Sequence, residues 1–130
     1  MRGQRLHTRL TVPSDAAPLR ELYLRDQAPP DPIEPASGMI GKIAGRVVAH
    51  LAFRRERATL EILHVHVDRE YRRKRVARGM LIELERIAKA EGVEELGVVA
   101  ECALAGLFRQ LGFIPAGETL HKRVGKGNGA

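Results

Sequence analysis

The stretch from Leu60 to Leu84 restricts the chain to few folds. A strand pattern, Leu60-Glu61-Ile62-Leu63-His64-Val65-His66-Val67, runs straight into the basic turn Asp68-Arg69-Glu70-Tyr71-Arg72-Arg73-Lys74-Arg75. The turn becomes an amphipathic helix with apolar positions at Val76, Met80, Leu81, Leu84, Ile87 and Ala88. A strand feeding such a helix belongs to a layered α/β arrangement. Five of the seven residues from Arg72 to Arg78 are cationic. A helix N-terminus adds unpaired backbone N–H groups and a partial positive charge of about half a unit. The expected guest at this junction is a phosphorylated ligand.

The rest of the chain supplies the sheet. Leu6–Val12 alternates as an edge strand, Pro13-Ser14-Asp15 offers a turn and helix cap, and Ala16–Asp26 carries Leu19, Leu22 and Tyr23 at helical spacing. Four of the seven prolines fall between Pro29 and Pro35, which predicts a loop. Met39–Ile43 and Arg46–Arg54 read as strands joined at Ala44-Gly45, and Ala58–Val67 as a third, central strand. The helix from about Lys74 to Ala90 stops at Glu91-Gly92. Glu95–Ala100 is a strand, Ala103–Leu111 a short helix, and Phe113–Ala116 and Glu118–Val124 closing strands. The order β-α-loop-β-β-β-α-β-α-β-β describes a mixed α/β sheet with helices on both faces. In such sheets phosphate-bearing ligands sit where a strand's carboxyl end meets the next helix.

At 130 residues the chain reads as one domain, 1–130, with 125–130 as frayed coil. No stretch approaches the ~20 apolar residues of a membrane span, and the basic N-terminus lacks the apolar run of a secretory signal. The single cysteine, Cys102, excludes an internal disulfide and suits the cytoplasm. The net charge of +6 favours polyanionic partners: nucleic acid, an anionic membrane or a phosphorylated cofactor. Against nucleic acid stand an aromatic content of 4% and the lack of a recognised nucleic-acid motif.

The run Tyr71-Arg72-Arg73-Lys74-Arg75-Val76-Ala77 resembles the phosphate loop of the GCN5-related N-acetyltransferases, Arg/Gln-x-x-Gly-x-Gly/Ala, often preceded by an aromatic residue. It matches at Tyr71, Arg72 and Ala77 and departs at Arg75, where the family has glycine. A second family stretch, closing in Gly-Phe, is similar to Ala105-Gly106-Leu107-Phe108-Arg109-Gln110-Leu111-Gly112-Phe113. The resemblance extends in element order over nearly the whole chain and implies a mixed, mostly antiparallel central sheet of six to seven strands flanked by helices on both faces. It implies an acyl-CoA-dependent N-acyltransferase with acetyl-CoA as donor and an amine as acceptor. Backbone N–H groups of Arg73, Lys74, Arg75, Val76, Ala77 and Arg78 would hold the CoA diphosphate beside Arg72. The main chain of Val65, His66 and Val67 would pair with the pantetheine arm like an added strand. Arg75, in place of glycine, either turns outward toward a phosphate or narrows the site.

Acyl transfer to an amine needs the neutral amine, and a lysine-type amine has a pKa of ~10.4, so a base is useful. Glu61, a carboxylate inside an apolar strand four residues before Val65, stands where the histone-acetylating branch carries its glutamate base. The competing reading pairs it with Arg54, Arg55 or Arg57 across a hairpin. Many relatives protonate the departing thiolate with a tyrosine where this chain has Phe108, which has no proton to give and is read as lining the cofactor site or as core. His64 and His66 share a strand face at i, i+2 spacing, but no third metal ligand stands nearby, so no metal site is expected. Cys102 has no evident base partner, and His121 and Lys122 read as surface. The stretch from Ser14 to Gly38 is short for a family acceptor pocket, which is therefore either open or completed by a second copy in a homodimer. Two rivals stand beside the transferase: a CoA-binding module without activity and a basic nucleic-acid-binding protein.

Overall fold

The computed structural model describes residues 5–26, 38–72, 75–100 and 104–124. Its strands are β1 (Leu6–Leu10), β2 (Gly38–Ile43), β3 (Arg46–Glu56), β4 (Thr59–Val67), β5 (Glu95–Val99), β6 (Ile114–Ala116) and β7 (Thr119–Arg123). Its helices are α1 (Ala16–Arg25), α2 (Val76–Ala90) and α3 (Ala105–Gln110). The strands make one mostly antiparallel sheet in the order β1-β2-β3-β4-β5-β7-β6, with β4 and β5 parallel. The expected fold class is borne out, and the strands and helices follow in the expected order; the loop expected at Pro29–Pro35 and the coil expected at 125–130 lie outside the described residues.

The chain divides into two compact units. The first comprises residues 1–52 and 64–81. Here the Ala44-Gly45 link joins β2 to β3 with positive φ at both residues (53° and 81°), the geometry that follows the twist of a two-residue hairpin. Ile40 and Gly41 are consecutive on β2, so their side-chain positions face opposite ways. Ile40 packs with Leu19 and Leu22 of α1 and with Val47. A Cβ added at Gly41 would stand 3.1 Å from Met80 Sδ and 3.0 Å from Leu6 Cδ1, so α2 covers the other face. Helices therefore flank the sheet on both faces. The entry to α1 is held by Asp15, buried, whose carboxylate receives both Arg9 nitrogens at 2.9 Å and the Val12 N–H at 2.8 Å. Those contacts, Arg9's hydrogen bonds foremost, outweigh the upward push of burial and hold the carboxyl below its usual range.

The second unit comprises residues 53–63 and 82–130. Its parallel ladder sets Thr59–Ile62 of β4 against Glu95–Val98 of β5, while β5 pairs antiparallel with β7 over Glu95–Val99. Phe108 of α3 is 1% exposed and meets Phe113 edge to face, with centroids 5.0 Å apart. Arg57, at the β3–β4 turn, takes a positive φ of 61°. The N-terminal strand ends at Leu10, two residues before the end of its sequence pattern, and α2 begins at Val76. The start of α2 at Val76 rather than Lys74 matters to the site.

Candidate functional site

The turn between β4 and α2 is built from polar contacts. Asp68 is buried; its N–H donates to the Val48 carbonyl at 2.8 Å, and its carboxylate accepts from the Glu70 N–H at 2.9 Å and from Arg25 Nε at 3.0 Å. Burial pushes that carboxyl up, but the Glu70 N–H and the Arg25 guanidinium outweigh it, so it stays ionised below the usual carboxylate range. A short 3-10 turn, Arg69–Tyr71, follows, and Arg72 is extended. Arg75 then takes a left-handed conformation, φ 62°. Its carbonyl accepts the Gly79 N–H at 3.0 Å, so it stands in the N-cap place of α2. The N–H groups of Val76, Ala77 and Arg78, in the first turn, have no partner within the helix. Along fifteen residues of helix the backbone dipole adds positive potential there.

The family's glycine falls at this left-handed residue. Glycine enters that region without penalty, whereas a side chain costs about 1–2 kcal/mol. Arg75 keeps the conformation although it lacks the residue that makes it easy, and it is solvent-exposed. Arg72 behaves differently: its Nε donates to the Val67 carbonyl at 3.0 Å and its Nη2 lies 3.4 Å from Asp26 Oδ2. Arg73 and Lys74 lie outside the described residues. Val76 is buried, and Ala77 and Arg78 are half-buried.

Asp26, just past α1, escaped sequence reasoning. Its side chain is 5% exposed, and its carboxylate accepts from the Arg69 N–H at 3.2 Å, with Arg69 Nε 3.6 Å away. His66 Nε2 is 3.0 Å from Asp26 Oδ2 but is not aligned as a hydrogen bond, so the contact is one of proximity. A signal was available. An acid at a helix C-terminus opposes the dipole, and its presence there asks for cations nearby.

Beside this turn, still in the first unit, rings form a ladder. Tyr23 stacks on His66 at 4.6 Å and on His64 at 5.5 Å, and its hydroxyl shares a 2.7 Å hydrogen bond with His50 Nδ1. Burial, with the neighbouring His64 and His66, pushes the His50 imidazole down to about 4. Burial also lowers His66, against the opposing pull of Asp26. Val65 is half-buried; His66 and Val67 are buried. Among the described residues no three His, Cys, Asp or Glu side chains stand where one metal ion could be held.

In the second unit, Glu61 is one-third exposed and accepts from Arg54 Nη2, the hairpin pairing foreseen as its structural alternative. Phe108 is walled in against Phe113. Cys102 lies outside the described residues. His121 and Lys122 are half-buried and paired, with Glu95 at 3.2 Å and Glu85 at 2.8 Å.

The model of the acetyltransferase (GNAT) family matches residues 5–113. No curated protein matches the sequence itself. Among solved structures, the ribosomal-protein-S18-alanine N-acetyltransferase of Escherichia coli superposes with a TM-score of 0.76 at 16% identity, covering 94% of this chain and 96% of that one. The PaiA N-acetyltransferase of Thermoplasma acidophilum, in complex with coenzyme A, gives 0.71 at 13% identity over 92% and 99%. A GNAT family acetyltransferase of Brucella melitensis, in complex with acetyl-CoA, gives 0.72 at 17% identity over 95% and 90%. At such identities the likeness is one of fold.

Proposed function

We propose that this chain, which belongs to the acetyltransferase (GNAT) family, moves the acetyl group of acetyl-CoA to a primary amine by direct attack in a ternary complex. One observation carries the reading. Immediately after β4, an extended Arg72 and a left-handed Arg75 present the open N-terminus of a long helix, with cations around it. The Thermoplasma and Brucella relatives hold CoA and acetyl-CoA, which supports the same donor here.

The N–H groups of Val76, Ala77 and Arg78 take the diphosphate oxygens, with the flanking cations Arg73, Lys74 and Arg75 adding charge. Each charge-assisted hydrogen bond of this kind contributes about 1.5–3 kcal/mol. β4 runs past its last pairing with β5, at Ile62, to Val67. The main chain of Val65, His66 and Val67 is the strand edge offered to the pantetheine arm. Phe108, buried against Phe113, serves as packing rather than as an acid.

The acceptor amine loses its proton to Glu61, attacks the thioester carbonyl, and the tetrahedral adduct collapses with loss of the CoA thiolate. A thiol of pKa ~8.5 leaves without an acid, which fits the presence of Phe108 in place of a proton donor. For Glu61 to accept the proton, the ammonium of the acceptor displaces Arg54, whose side chain is largely exposed. This chemistry belongs in the cytoplasm, where a lone cysteine is at home; no described helix is long and apolar enough to cross a membrane.

The experiment is thiol release from acetyl-CoA with a panel of acceptors: amino acids, polyamines, lysine peptides and peptides with free N-termini. Acceptor-dependent release supports the transferase. Donor binding with no acceptor acylated supports the second reading, a CoA-binding module, which the Arg54–Glu61 pairing and the buried Phe108 favour.

A further inference from the structure

We infer that Asp26 is a positioning residue for the donor: acting through Arg69 and Arg72, it holds the turn Arg69–Arg72 after β4 where the acetyl-CoA diphosphate requires it. The inference rests on the reading of that turn as the diphosphate site. Three observations carry it. The Asp26 carboxylate is almost wholly buried at the C-terminal end of α1, where both desolvation and the helix dipole disfavour a negative charge. It nevertheless gathers the Arg69 N–H, the Arg69 side chain and the Arg72 guanidinium within 3.2–3.6 Å. Arg72 is turned back onto its own strand by the 3.0 Å bond from Nε to the Val67 carbonyl. The guanidinium that leads the phosphate-loop motif therefore braces the turn and leaves the anion to the backbone amides.

The preceding residue repeats the arrangement with charges exchanged. Arg25 donates to the Asp68 carboxylate at 3.0 Å and to the Val47 carbonyl at 2.9 Å. Two consecutive residues, Arg25 and Asp26, thus grip the turn at Asp68 and at Arg69 and Arg72. Because the gripped cations are themselves more than half exposed, the clasp adds little burial. Its consequence is geometric: it fixes where Arg72 leaves the turn.

The sign of one measurement separates this role from simple electrostatics. Asp26→Asn removes a negative charge near the proposed anion site. If Asp26 were only a nearby charge, CoA would bind more tightly to the variant. As a positioning residue its loss weakens CoA binding at least tenfold, measured by calorimetric titration of wild type and variant. In the ligand-free protein, amide hydrogen exchange over Arg69–Gly79 accelerates in the variant while exchange in β5 and β7 does not change. Asp26→Glu, which keeps the charge but displaces it by one methylene, recovers part of the affinity; it also serves as the comparison if the asparagine variant does not fold, with a three- to tenfold loss expected. Variants that bind CoA as well as wild type, or better, overturn the inference, as does faster exchange without weaker binding. Failure of the wild type to bind CoA at all refutes the donor-site reading instead, and the two outcomes are separate.

Discussion

Replacing Arg75 by glycine sets stability against affinity. Arg75 stands at φ 62° with its side chain in solvent. A left-handed backbone costs a residue with a Cβ about 1–2 kcal/mol, and glycine at the same place gives back about 0.4–1 kcal/mol through a more flexible unfolded chain. The net expectation is a gain of roughly 0.5–1 kcal/mol, or about 2–4 °C in Tm for a domain of this size. The same substitution removes a cation from the rim of the donor site. CoA affinity is expected to fall three- to tenfold, about 0.7–1.4 kcal/mol. Arg75→Ala is the control: it keeps the Cβ, so it loses the affinity without gaining the stability. Thermal unfolding of the ligand-free proteins and calorimetric titration with CoA read the two effects separately. A lower Tm for the glycine variant would refute the strain argument, and unchanged affinity in both variants would remove the Arg75 guanidinium from the site.

Three further expectations follow from the structure. Glu61→Gln lowers turnover at neutral pH while leaving CoA affinity alone; unchanged turnover in a pH–rate profile would exclude Glu61 as base. Stability falls on acidification, because His50 is held down to about 4 when folded while an unfolded histidine titrates near 6.5. The unfolded state then binds protons first, so stability is complete above about pH 6.5 and drains as pH falls toward 4, by about 2 kcal/mol at pH 5; urea unfolding at pH 7.5 and 5 measures it, and a His50→Gln variant with an equally steep loss would contradict the assignment. Phe108→Tyr places a hydroxyl in the 1%-exposed pocket against Phe113 and lowers stability by about 1–3 kcal/mol without raising turnover; a gain in turnover would show that the ring reaches the thiolate.

The fold was legible because its signals are local. Period-two alternation, the Ala44-Gly45 link and the Gly92 stop each act within a few residues of where they are written. The basic turn was legible for the same reason, since its cations and the apolar stripe of α2 adjoin in the chain. Asp26 was not, because its meaning lies in Arg69 and Arg72, more than forty residues on, and only the packing of α1 brings them together. The left-handed Arg75 was equally hidden, since arginine carries no mark of the conformation that glycine would have announced. Glu61 shows the opposite case: strand position suggested a base and a hairpin partner alike, and the folded chain supplies the partner.

The most direct test of the donor site is the amide spectrum of the isotopically labelled protein during titration with acetyl-CoA. The account predicts that the largest shifts fall on Val76, Ala77 and Arg78, with a second set at Val65, His66 and Val67. Saturable shifts confined to other residues, with these amides unmoved, would contradict it.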